Sequence, residues 1–287
     1  MSPVRRLLAF GAILVVAFAA AAAAAAGAAL PALREPGAGG HGGHDDVGAH
    51  GAEHAAPLAG LASAADGLSL EARATRLPRA RAAEFRFRVA GTDGRTVRAM
   101  DVVHERAMHL IVVRRDLTGY QHLHPRLRAD GSWSTPLRLP AAGVYRAYAD
   151  MSVGGRPTTL ATDLFVPGSF RPAALPPPAR TAVTGEYAAA LSAPALAAGR
   201  AATLTYAITR AGRPVDRVEP YLGADGHLVA LREGDLAFLH LHPEESRAAG
   251  TIRFTAQLPS AGRYRLFLQF RHGGRVHTVA HTVVVAP

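Results

Sequence analysis

An all-β chain is predicted, built as a tandem pair of antiparallel β-sandwiches behind an N-terminal hydrophobic segment, and three observations predict it. The first is internal repetition: Met108 to Pro125 (MHLIVVRRDLTGYQHLHP) and Gly226 to Pro243 (GHLVALREGDLAFLHLHP) align without a gap at an offset of 118 residues. The match continues downstream, where LPAAGVYRAYADM answers LPSAGRYRLFLQF and RPTTLATDLFV answers RVHTVAHTVVV, and upstream, where Phe85 to Val89 answers Leu204 to Ile208. Self-similarity on that scale marks a duplicated domain. The second is strand patterning, since the first copy reads as short runs bounded by turn residues: Leu68 to Ala72, Phe85 to Val89, Met108 to Val113, Tyr120 to His124, Ser132 to Leu137, Tyr145 to Met151 and Thr159 to Val166. About seven such runs in roughly 100 residues is the density of a sandwich. The third is the lack of a 3.6-residue period beyond the N-terminus, which leaves helix little place there.

In chain order, residues 1–30 place Arg5 and Arg6 before an uncharged stretch, Leu7 to Leu30, whose bulky residues end at Phe18 and whose remainder is nearly pure Ala. This reads as a hydrophobic helix, either a cleaved signal peptide or a retained signal anchor. In both cases the rest of the chain is expected to be extracytoplasmic, secreted after cleavage or held at the membrane. Residues 31–66 carry Gly, Ala, His and Pro without apolar periodicity and read as a flexible tether. The first sandwich is assigned to residues 67–168, a Pro-rich linker to 169–183 and the second sandwich to 184–287. Each copy contains Leu-Pro-x-Ala-Gly-x-Tyr, ending at Tyr145 and Tyr264. The motif resembles the corner of immunoglobulin-like sandwiches, where the tyrosine hydroxyl bonds back across the turn; an ordinary core tyrosine is the other reading.

Composition closes several routes. The 287 residues contain no Cys, which excludes disulfide frameworks, thiolate-ligated zinc, iron–sulfur clusters and thiol nucleophiles. All 32 positive charges are Arg, scattered along the strand-like segments without a basic block, so the net charge of +10 forms no basic patch and nucleic-acid binding is not expected. No HExxH, nucleophile elbow or phosphate-cradling Gly loop occurs, and the acids Asp101, Glu105 and Glu219 sit in solvated-looking segments, so the chain is read as no enzyme.

The unusual feature is 14 His. His122-Leu123-His124-Pro125 and His240-Leu241-His242-Pro243 place two imidazoles at i and i+2, on one face of a strand. A hairpin pairing Val113 with Tyr120 also pairs Ile111 with His122 and brings His109 beside His124; the same spacing pairs Val229 with His240 and brings His227 beside His242. Each copy then carries a triad, His109, His122 and His124 or His227, His240 and His242. Three neutral imidazoles without thiolate suit Zn(II) or Cu(II). The tether adds His41, His44, His50 and His54 beside Asp45, Asp46 and Glu53, a second set of candidate ligands for loose capture. Structural histidines, half-buried and bonded to loop backbone, are the competing reading of the hairpins. With His272, His277 and His281 also present, the second copy is expected to hold the tighter site, and free imidazoles titrating near pH 6.5 predict affinity that falls steeply below about pH 6.

An exported sandwich with a His-rich tether, an Ala-Gly-x-Tyr corner and HLHP hairpins resembles the CopC-like and YtkA-like extracytoplasmic copper-handling proteins. The resemblance covers residues 67 to 287 and is specific at the two hairpins and two corners. It implies copper, although the N-terminal His and the Met cluster of that group are missing here. The expected function is extracytoplasmic capture or buffering of copper or zinc, with a divalent ion as partner and the membrane contacted only through an uncleaved N-terminal segment. The alternative is a membrane-anchored immunoglobulin-like interaction or scaffold protein with structural histidines and a protein partner that the sequence does not name.

Overall fold

Period-two burial along the apolar runs builds strands, and the computed structural model describes them over residues 58–241, 243–244 and 250–287. The hydrophobic segment at residues 7–30, the tether histidines His41, His44, His50 and His54, and His242 lie outside the described residues. Among the described residues every regular element is a strand, and no helix is long and apolar enough to cross a membrane.

The first repeat comprises β1 (Ala64–Ala65), β2 (Leu68–Ala72), β3 (Ala82–Ala90), β4 (His109–Arg114), β5 (Gln121–Leu123), β6 (Arg126–Leu127), β7 (Trp133–Arg138), β8 (Gly143–Val153) and β9 (Arg156–Val166). These form two antiparallel sheets, ordered β1-β2-β3-β7-β6 and β5-β4-β8-β9. The second comprises β10 (Thr181–Thr184), β11 (Tyr187–Ser192), β12 (Ala201–Arg210), β13 (Arg213–Pro214), β14 (His227–Arg232), β15 (Phe238–Leu241), β16 (Pro243–Glu244), β17 (Thr251–Gln257), β18 (Gly262–His272) and β19 (Arg275–Val285). Its sheets run β10-β11-β12-β17-β16, with β13 on β12, and β15-β14-β18-β19. Each repeat encloses its own core: Phe85, Phe87, Leu110, Val112 and Tyr145 in the first, Tyr206, Phe254, Leu228, Tyr264 and Phe270 in the second.

Both corners take the immunoglobulin-like form. The Tyr145 hydroxyl donates to the Ala141 carbonyl at 3.0 Å, and the Tyr264 hydroxyl donates to Ser260 O at 3.0 Å. Tyr145→Phe and Tyr264→Phe are each expected to cost about 1 kcal/mol, measured as a lower urea midpoint. An unchanged midpoint in both would show the hydroxyl bonds to be idle.

The tandem repeats pack against each other through a third apolar cluster. In β4, Leu110 and Val112 point into the first core, whereas Ile111 and Val113 point out of it, and all four are 0% exposed. Ile111, Val113, Leu117, Tyr148 and Ala161 meet Val229, Leu231, Leu236, Phe238 and Phe267 of the second repeat. Tyr120 stacks on Phe267 with ring centroids 4.1 Å apart, and Phe238 stacks on Tyr148 at 5.0 Å. Because Tyr120 aligns with Phe238 and Tyr148 with Phe267, these are one contact made twice, as a two-fold pseudo-symmetric interface requires.

The end of the expected tether is not flexible. Phe238 N–H donates to Ala59 O at 3.0 Å, Gly60 N–H to Thr159 O at 3.2 Å and Ala161 N–H to Ala62 O at 2.8 Å, so residues 59–62 bond both repeats, and Ala64–Ala65 already pairs with β2. Gly60 is required there, since its φ is +72° and a Cβ would lie 2.7 Å from Tyr148 Cδ1 and 2.8 Å from Phe238 Cβ. The expected linker is also partly structured: β10 begins at Thr181, and Ala173 N–H donates to Asp116 at 2.8 Å. Unpaired backbone groups at the sheet edges take up these segments, which composition alone does not reveal.

Candidate metal centre

Strand parity decides where each histidine goes. The hairpin registers are those that the spacing predicts, Ile111 opposite His122 and Val229 opposite His240. His109 shares its face with Ile111 and Val113, and His227 shares its face with Val229 and Leu231, so both rings enter the interface between repeats and not a free surface. The rings of the first expected triad, His109, His122 and His124, stand 4.8–5.2 Å apart between centroids, whereas the second expected triad includes His242, outside the described residues. His109, His122 and His227 come together across the interface, each offering a ring nitrogen within 4.8 Å of the others. His240 lies 4.2 Å from His227 between ring centroids, and His124 lies 4.8 Å from His122.

Hydrogen-bond partners set the ring tautomers. His109 Nε2 is 3.1 Å from the Val103 carbonyl, which can only accept, so the proton sits on Nε2 and Nδ1 carries a lone pair. His122 Nδ1 is 2.7 Å from Oε1 of Gln269, whose amide nitrogen donates to Thr278 Oγ1 at 3.2 Å, so the His122 proton sits on Nδ1 and Nε2 is bare. The two bare nitrogens, His109 Nδ1 and His122 Nε2, face each other at 3.0 Å. Lone pair against lone pair is repulsive unless a cation serves both. His227 adds a ring only 2% exposed, with neither nitrogen hydrogen-bonded among the described residues. An unsatisfied buried polar group costs about 1–3 kcal/mol, so this arrangement is expensive without a ligand.

A proton is a poor candidate for that cation. Burial is the main cause that drives His122 and His227 well below the ordinary imidazole value, reinforced by neighbouring histidines. Burial likewise lowers His109 despite the Val103 carbonyl, and takes His124 to about 4. Each of these rings is thus neutral in the folded chain at pH values where free His charges. The stability they contribute is full above the unfolded value near 6.5 and is lost as pH falls below it, at up to about 1.4 kcal/mol per pH unit per group. For the metal-free protein a urea midpoint markedly lower at pH 5.0 than at pH 7.5 is expected, and equal midpoints would contradict this.

Sequence reasoning missed three residues around the centre. Asp150 accepts the His240 Nδ1–H at 2.8 Å and the Thr159 hydroxyl at 2.7 Å. Burial pushes Asp150 up, but the hydrogen bonds from His240 and Thr159 outweigh it and hold the carboxyl below the usual range. Gln269 occupies the aligned position on β18 and serves His122 as Asp150 serves His240. Such outer partners fix a ring's orientation toward a metal. His104, set by a left-handed turn at φ 50°, brings its ring within 5.2 Å of His240. A polar residue amid apolar ones in ADM and LQF was the available signal for the first two.

The extra histidines of the second repeat do not join the centre. His281 shares β19 parity with Val279 and points into its own core, where Nε2–H donates to Ala189 O at 3.0 Å. His277 donates to His272 O at 3.1 Å, and His272 shares a hydrogen bond with the Tyr187 hydroxyl at 2.8 Å. These three residues therefore lend no support to the expectation of a tighter site in this repeat.

Fold and site together define a tandem β-sandwich protein whose repeats share a buried histidine cluster. The chain belongs to the family described as a domain of unknown function, DUF8832, whose model matches residues 63–168 and again 181–287. No curated protein matches the sequence. Among solved structures, the Escherichia coli adhesin FdeC is 14% identical, with 77% of this chain and 64% of that chain covered and a TM-score of 0.27. Invasin, a bacterial integrin-binding protein, is 14% identical over 75% of this chain and 39% of its own, with a TM-score of 0.22. Titin Z1Z2 in complex with telethonin is 11% identical over 76% and 95%, at 0.21. This chain thus spans less than two thirds of the adhesin, and likenesses of this size carry no argument about what it binds.

Proposed function

We propose that the protein binds one divalent ion, copper or zinc, at a centre shared by its two repeats, and that it captures or buffers that ion outside the cytoplasm. The observation that carries this reading is the 3.0 Å approach of two unprotonated nitrogens, His109 Nδ1 and His122 Nε2, beside the unsatisfied ring of His227. With metal–nitrogen bonds of about 2.0–2.1 Å, tetrahedral ligands stand about 3.3 Å apart, close to the 3.0 Å between His109 and His122. Neutral imidazoles without thiolate favour Zn(II) or Cu(II) over Cu(I). The likeness of the HLHP hairpins to CopC-like and YtkA-like proteins fits copper. Export, by cleaved signal or retained anchor, rests on the basic and apolar pattern of residues 1–30. The test is elemental analysis and chelator competition on the protein exposed to Cu(II) and Zn(II). One tightly held ion per chain is expected, and none would refute the reading.

A second reading is an immunoglobulin-like interaction protein whose histidines are structural. One observation favours it: His272, His277 and His281 are all bonded to protein groups, so this chain does use histidine in packing. Replacing His122 by Ala separates the readings. A structural ring costs stability with or without metal, whereas a ligand's cost is felt mainly in the loaded form.

A further inference from the structure

We infer that the ion exchanges through a port, a cavity of about 460 Å³ at the edge of the interface, lined by His109, His240 and Asp150. This rests on the metal reading above. His109 is only 3% and His227 only 2% exposed, while His122 is half-buried, so an ion needs a way in to the two closed rings. The cavity supplies one that reaches the rings of His109 and His240. Its walls are apolar, with Phe238 on one side and Pro157, an exposed residue, at the rim. Asp150 is the charge a cation meets at depth: its carboxylate is bonded to His240 and Thr159, and its side chain retains 13% exposure. The opposite charge stands on the exposed Arg106, whose guanidinium donates to the neighbouring Glu105 carbonyl. Asp101 is also at the rim, but its carboxylate is taken up by the Ser152 hydroxyl and Gly155 N–H, both at 2.7 Å. A hydrated divalent cation is therefore admitted against Arg106 and drawn inward by Asp150, which makes exchange slow and sensitive to the mouth.

The test uses the full chain with His41→Ala, His44→Ala, His50→Ala and His54→Ala, so that only the centre reports. Stopped-flow uptake of Cu(II) and its extraction by EDTA are followed in this parent and in two rim variants. Pro157→Trp narrows the mouth and is expected to slow uptake and release by the same factor, severalfold or more, with Kd unchanged. Arg106→Glu reverses the rim charge and is expected to speed uptake about tenfold at low ionic strength, an effect that vanishes in high salt. Rates equal to the parent's in both variants, or a Pro157→Trp effect on affinity alone, would overturn the port. A parent that holds no tight Cu(II) would overturn the metal reading itself, which keeps the two failures distinct.

Discussion

His227→Ala is expected to abolish tight metal binding although it leaves the first repeat's His109, His122 and His124 untouched. The loss should exceed the 10- to 100-fold that removal of an outer hydrogen-bond partner typically costs, since a ligand itself is removed. The reason is geometric: on the proposed reading His109 and His122 would supply two donors, and the third would come from β14 across the interface. The same substitution should raise the stability of the metal-free protein or leave it unchanged, because it deletes a buried ring with no hydrogen-bond partner among the described residues. Chelator competition and urea unfolding measure the two halves. Affinity retained within a fewfold would mean that one hairpin binds alone.

Tyr148→Ala is expected to be the most destabilising single change in the interface, at about 3–5 kcal/mol for a fully buried aromatic side chain. The ring is 0% exposed and stacks on Phe238, and its hydroxyl donates to the Leu236 carbonyl at 2.8 Å, so the substitution opens a cavity and orphans an acceptor together. Because those contacts join the repeats, metal affinity should weaken as well, and unfolding should change from one transition to two. A loss under about 1 kcal/mol would show that the repeats do not depend on this contact.

Much of this architecture was legible in the amino-acid order. The duplication, the corner tyrosines and both hairpin registers follow from spacing, because a turn of fixed length leaves only one pairing for His122 and His240. What spacing does not say is which face of a strand meets solvent. HLIVV and HLVAL are continuous apolar runs, and such runs belong to strands buried on both faces; that was the sign that these sheets pack on each other. Without it, His109 and His227 belong to separate triads, and the cross-interface cluster stays invisible. The same ambiguity hid the roles of His277 and His281, which bond groups within the second repeat. Asp150, Gln269 and His104 were missed because each acts on a histidine far from it in sequence.

The most direct measurement is an anomalous-difference map, collected at the metal edge, from crystals of the protein loaded with Zn(II) or Cu(II). One dominant peak per chain is expected, about 2.0–2.1 Å from His109 Nδ1, His122 Nε2 and a ring nitrogen of His227. Separate peaks within each HLHP hairpin, or no peak between the repeats, would contradict the shared centre.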